Sequence, residues 1–153
     1  MEKEKFISLA LSYLGFPSVK YKNPDLGCSE NGFDCSGFVK FLLLQAQYPD
    51  IVPRHSNEQF DTLGIFVHIE FCCAGDLVFF SKKGIVPTHV GIMISHNEYI
   101  HAPGRTGMVV EVNKLDQKII KFRGMNPQIY FSNPVGFKRL TVSSGRYRKK
   151  FLY

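Results

Sequence analysis

At 153 residues, 44% hydrophobic and 21% charged, the chain is long enough for one domain with a real core and too apolar to remain disordered. No apolar run reaches the length of a membrane span, and the cysteines at 28, 35, 72 and 73 form no C-x-x-C pair of the kind that holds zinc. The formal charge of +6, with a pI of about 9.2, admits an anionic partner, but no basic stripe interleaved with aromatics marks a nucleic-acid surface.

The opening MEKEKFISLALSYLG mixes both charge signs and has no small-residue cleavage site, so it reads as a helix start rather than a signal peptide. The expected location is therefore the cytoplasm, or the wall by a route the sequence does not show. Phe6, Leu9 and Tyr13 recur at helical spacing over 2–14, and Gly15 and Pro17 end the run. Residues 17–33 carry Pro, Gly, Asn and Asp without periodicity and read as a long loop, a feature often functional in a small domain. In NGFDCSGFVKFLLLQ, Asp34 is a good N-cap, and Phe38, Phe41, Leu42 and Gln45 follow at core-facing spacing. YPDIVPRHS breaks that helix, and SNEQF predicts a short one capped by Ser56. From residue 75 the pattern changes to strands: DLVFFS, HVGIMIS, EYIHA and MVVEV, then IIKFRG and PVGFKRL. Helices followed by strands predict an α+β domain over 1–142, with N-terminal helices packed on a C-terminal antiparallel sheet. Residues 143–153 are expected as a basic tail; RYRKKFLY supplies four of the 19 Lys and Arg.

The helix over 35–45 starts on a thiol. A free cysteine thiol, with a pKa of about 8.5, is mostly protonated at neutral pH. The unsatisfied N–H groups and positive partial charge at a helix N-terminus favour the thiolate and can also hold an oxyanion. A lone cysteine is more often a small buried hydrophobe, so a nucleophile here needs a base. Cys72 and Cys73 are adjacent, where a bridge is strained, and a free Cys35 leaves three other cysteines. That count fits unpaired thiols in a reducing compartment.

Of the five histidines, His55, His68 and His96 read as surface or packing residues, whereas His89 and His101 flank one predicted hairpin, HVGIMISHNEYIHA. A two-residue turn at His96-Asn97 would put the two rings on opposite faces, because faces alternate with period two. A three-residue loop, Ser95 to Asn97, pairs Ile94 with Glu98 and sets His101 opposite Gly91. Both histidines then share a face as diagonal neighbours roughly 7 Å apart at the backbone, with Gly91 leaving room for the rings. The same register gathers Val90, Ile92 and Ile94 on the core side and is the one expected. A thiol, a histidine base and a second polar group orienting that base make an activated nucleophile. In that reading Cys35 attacks, His89 takes its proton and His101 holds the His89 ring.

These segments resemble those of the NlpC-type cell-wall peptidases, bacterial cysteine peptidases with a compact papain-like fold, over most of residues 5–140. FDCSGFV matches the nucleophile motif, and THVGIMI and YIHAPG match the base and orienting-residue motifs in order and spacing. VPRHSNEQ, GDLVFFS and VGFKRL match further characteristic segments. The resemblance implies hydrolysis of an amide bond in a peptidoglycan stem peptide, commonly between γ-D-glutamate and meso-diaminopimelate. It also implies that Asp34 and Ser36 lie near the substrate's amino end, that Tyr21 lines the oxyanion region, and that Arg54 has a structural role. Where the family follows that tyrosine with an aromatic and a Gly-Gly pair, this chain reads YKNPDLGC. The implied partner is peptidoglycan or a muropeptide, with no cofactor, metal, nucleic acid or stable membrane insertion; the oligomeric state is not set by the sequence. Amidase cleavage nearer the sugar, acyl transfer on a related fold, or non-catalytic binding of wall fragments are the alternatives.

Overall fold

The computed structural model describes the backbone of residues 1–116, 119–123, 126–130 and 134–153, and the side chains of 1–116 and 134–153. Helix α1 (Lys3–Leu11) is followed by a loop holding the short strands β1 (Cys28–Ser29) and β2 (Gly32–Phe33). Then come α2 (Cys35–Gln45) and α3 (Ser56–Thr62). The strands that follow are β3 (Ile65–Val67), β4 (Leu77–Phe80), β5 (His89–Met93), β6 (Glu98–His101) and β7 (Glu111–Lys114). Beyond them lie β8 (Ile119–Arg123), β9 (Asn126–Tyr130), β10 (Pro134–Arg139), β11 (Thr141–Ser144) and β12 (Tyr147–Lys150). Gly124, the last residue of the predicted strand IIKFRG, lies outside the described residues.

Six strands form one antiparallel sheet in the order β3-β10-β4-β5-β6-β7, so the expected α+β architecture is the one observed. One face of the sheet presents Leu77, Phe79, Val90, Ile92 and Ile100 to the helices, where Phe6, Phe38, Val39, Leu42 and Leu43 complete the core. Each such side chain contributes about 1.5–3 kcal/mol when removed from water. Val78, Phe80, Met93, Tyr99 and Phe137 make a second cluster on the other face. The α2 stripe is shifted from expectation: Val39, Leu43 and Ala46 are buried and Gln45 is exposed. The helix packs on β5 and also on the loop strand β1, so apolar residues on both sides of the predicted stripe find neighbours.

Ser56 begins α3 rather than capping it; His55 holds the cap position without a side-chain cap bond. The strand predicted over MVVEV starts three residues later. Residues 108–110 pair instead with the segment after α1: Ser18 N donates to Met108 O at 2.8 Å, Gly15 N to Val110 O at 3.0 Å and Val110 N to Phe16 O at 2.9 Å. Residues 143–153, expected as a tail, are folded. β11 and β12 pair, and Phe151 and Leu152 are buried in the main core. Lys3 N donates to Tyr153 O at 2.9 Å, Phe151 packs on Phe6 and Tyr48, and the Tyr48 hydroxyl donates to Thr141 O. Arg148, Lys149 and Lys150 are still exposed, because β12 belongs to a two-stranded ribbon and is open along its whole length.

Candidate active site

Cys35 is the first residue of α2, and Asp34 caps it in extended conformation, its Oδ1 accepting from Gly37 N at 2.8 Å. Two glycines make this start geometrically feasible. Gly27 has φ +79°, and a Cβ there would lie 2.2 Å from Asp34 Oδ2. A Cβ on Gly37 would lie 2.0 Å from Gly27 O, which itself accepts from Asp34 N at 2.8 Å. The loop therefore lies directly against the first helical turn, with no room for a side chain at either glycine.

Arg54 locks that loop. Its guanidinium reaches both Asp34 oxygens, Nη1 to Oδ1 at 3.0 Å and Nη2 to Oδ2 at 2.5 Å. It also donates to Ser36 Oγ, Pro24 O and Leu26 O at 3.1, 2.9 and 2.6 Å. Burial works against the charge on Arg54, but the hydrogen bonds and charge of Asp34 outweigh it and raise the guanidinium above its ordinary pKa. The Tyr21 ring packs on Arg54, 5.4 Å from its Cζ, and edge-on against His55 at 5.2 Å. Gln59 is fully buried and donates to both Ser36 O and Pro53 O, tying α3 to the start of α2. Tyr21, Asp34, Ser36 and Arg54 thus form one corner beside the thiol. Their proximity comes from residues far apart in sequence.

On the other side, α2 packs on β5, and Cys35 Sγ lies 4.0 Å from Thr88 O, the carbonyl immediately before His89. Across the β5–β6 hairpin Ile92 faces Ile100 and Met93 faces Tyr99, while Ile94 N donates to Glu98 O at 2.9 Å. This is the three-residue-loop register, and it brings the two histidines into contact: His89 Nε2 and His101 Nδ1 are 2.7 Å apart, their rings perpendicular. Gly91 fills the predicted part. A Cβ there would lie 2.9 Å from Tyr99 Cδ2 and 3.3 Å from His101 Cβ.

His101 is fully buried under the Tyr99 ring, and its Nε2 lies 2.6 Å from Asn113 Oδ1 and 3.7 Å from Glu111 Oε1, both on β7. Burial, with a smaller contribution from Glu111, holds the Tyr99 phenol protonated well past its ordinary range. Asn113 and Glu111 were not singled out from the sequence. The available signal was their i, i+2 spacing on a strand next to His101, but the predicted strand ended at Val112.

The remaining histidines lie elsewhere: His68 accepts from Glu70 N at 3.2 Å in a 3₁₀ turn, and His96 is exposed in the hairpin loop. His55, expected as a surface or packing residue, touches Tyr21 at the site's edge. All four cysteines are free thiols, and among the described residues no cluster of His, Cys, Asp and Glu could hold a metal.

The sequence profile of the NlpC/P60 family matches residues 22–127, a span holding the thiol, both histidines and Asn113. The chain belongs to that family. Among curated NlpC/P60 relatives, it is 34% identical over 98 residues to the murein DD-endopeptidase MepS/murein LD-carboxypeptidase of Escherichia coli K12, covering 64% of this chain and 50% of that protein. It is 32% identical over 119 residues to the γ-D-glutamyl-L-lysine dipeptidyl-peptidase of Bacillus subtilis 168, covering 76% of this chain and 37% of that one. The chain spans about half the length of the E. coli relative. Its fold superposes with a TM-score of 0.71 on an NlpC/P60 family protein from Bacillus cereus ATCC 10987, at 28% identity over 92% of this chain and 40% of that one. The fold is thus the papain-like one of the family.

Proposed function

We propose that the chain is a cysteine peptidase that hydrolyses an amide bond in peptidoglycan stem peptides, with Cys35, His89 and His101 as its triad. The observation that carries the reading is the 2.7 Å contact between His89 and His101 on the hairpin beside a thiol at a helix N-terminus. His89 Nε2 is engaged by His101, so the Cys35 proton passes to His89 Nδ1. The thiolate then bonds to the scissile carbonyl carbon. The resulting oxyanion is held by N–H groups of the first turn of α2, with Tyr21 at its margin. Collapse breaks the C–N bond as His89 returns its proton to the leaving amine, and water activated by the same ring hydrolyses the thioester.

For the bond, the γ-D-glutamyl–diamino acid linkage is the reading supported by the activity named for the B. subtilis relative. The substrate's amino end is assigned to the corner of Tyr21, Asp34 and Ser36. Because Arg54 already neutralises Asp34 there, recognition rests on directed hydrogen bonds rather than net negative charge. Incubation with purified muropeptides followed by mass spectrometry tests this directly. Products split at γ-D-glutamate are expected, and Cys35→Ala and His89→Ala should each lose essentially all turnover, since nucleophile and base act as a unit. Cleavage undiminished in Cys35→Ala would overturn the proposal.

A further inference from the structure

The triad does not end at His101. Its Nε2 faces two groups on β7, Asn113 Oδ1 at 2.6 Å and Glu111 Oε1 at 3.7 Å. The second is a carboxylate that, when ionised, only accepts hydrogen bonds. A fully buried ring with two acceptors facing one nitrogen carries its hydrogen on that nitrogen. In the neutral ring His101 Nδ1 is then a lone pair, and the contact at 2.7 Å requires His89 Nε2 to be the donor. Every bond in the row therefore points away from the sulfur: His89 donates to His101, and His101 donates to Asn113. Only His89 Nδ1 is left to exchange a proton with Cys35.

We infer that Asn113 is a positioning residue that fixes the His101 tautomer and, through it, the nitrogen on which His89 acts as base; this rests on the triad proposed above. The direction matters because an imidazolium at His89 carries hydrogens on both nitrogens. If His101 were protonated at Nδ1, two hydrogens would meet in the 2.7 Å gap, and the thiolate–imidazolium pair would be disfavoured. With His101 protonated at Nε2, the same gap holds a hydrogen bond that strengthens as His89 gains its proton. The backbone provides the placement. Glu111 pairs with His101 and Asn113 with Tyr99 across β6–β7, so both side chains lie on the histidines' face of the sheet.

The test compares Asn113→Leu, which keeps the size and removes the acceptor, with Asn113→Asp, which keeps an acceptor and cannot donate when ionised. The groups around the row that titrate are Cys35 on α2, His89 on β5, Tyr99 and His101 on β6, and Glu111 on β7. Three readouts apply: ¹⁵N NMR of the His101 ring, the pH profile of Cys35 alkylation by iodoacetamide, and muropeptide turnover. Asn113→Leu should move Cys35 alkylation to higher pH. It should also lower kcat at least tenfold with KM little changed, a fraction of the roughly 10²–10⁴ that general-base catalysis contributes. Asn113→Asp should restore both. A wild-type His101 protonated at Nδ1, or an Asn113→Leu alkylation profile identical to wild type, would overturn the inference. Because NMR and alkylation need no substrate, a protein that cleaves no muropeptide would fail the functional proposal and leave this one still decidable.

Discussion

Replacing Asp34 with alanine should destabilise the protein far more than the loss of a helix cap. The cap bond to Gly37 N is worth about 1 kcal/mol. The same carboxylate is the bidentate partner of Arg54, both side chains being more than nine-tenths buried. Removing one member of such a pair costs about 3–5 kcal/mol, because a charge is left in a low-dielectric site. Pro24 O and Leu26 O still accept from Arg54, so the low end, about 3 kcal/mol, applies. The sum is about 4 kcal/mol, or a fall in Tm of roughly 12 °C at about 3 °C per kcal/mol for a domain of this size. Urea unfolding with an unchanged m-value measures it. The double variant Asp34→Ala/Arg54→Leu should regain about 2 kcal/mol of the loss, because it leaves no unpaired charge. If Asp34→Ala costs only about 1 kcal/mol and the second substitution returns nothing, Asp34 is a cap alone and Arg54 is satisfied without it.

Iodoacetamide should label Cys35 before Cys28, Cys72 or Cys73, read by peptide mass mapping; Cys72 should be slowest, since burial first and Asp76 second push its thiol up. Equal rates at the four sites would count against activation by the helix start. Gly91→Ala should reduce turnover while the fold persists, at a cost of about 1–3 kcal/mol, because its Cβ must displace Tyr99 and crowd His101; unimpaired turnover would show that the hairpin relaxes around the added methyl without parting the two histidines. Burial raises the Tyr48 phenol to about 12, so the folded state keeps a proton that the unfolded chain gives up near pH 10. Its contribution is intact below pH 10 and falls by about 2–3 kcal/mol as pH rises towards 12. Tyr48→Phe should flatten that part of a stability–pH curve, and an unchanged slope would assign the alkaline loss to other groups.

What the sequence determined by itself was local or strictly periodic. Asp34 before Cys35 marks the start of α2 because a cap acts over three residues. The hairpin register followed from alternation, since a one-residue slip would have carried Val90 and Ile92 out of the core and separated the two histidines. The tertiary structure alone decided the features that join distant segments. Arg54 meets Asp34 across 20 positions, and Asn113 reaches His101 from a strand whose start was moved by pairing with residues 15–18. The last eleven residues look like a basic tail because their charge is visible in sequence, whereas the burial of Phe151 and Leu152 depends on distant neighbours, Phe6, Tyr48 and Gly75. Propensity and period act within an element. The partner of a buried charge, the acceptor of a buried ring nitrogen and the fate of a terminus are set between elements, by which polar groups must be satisfied once water is gone.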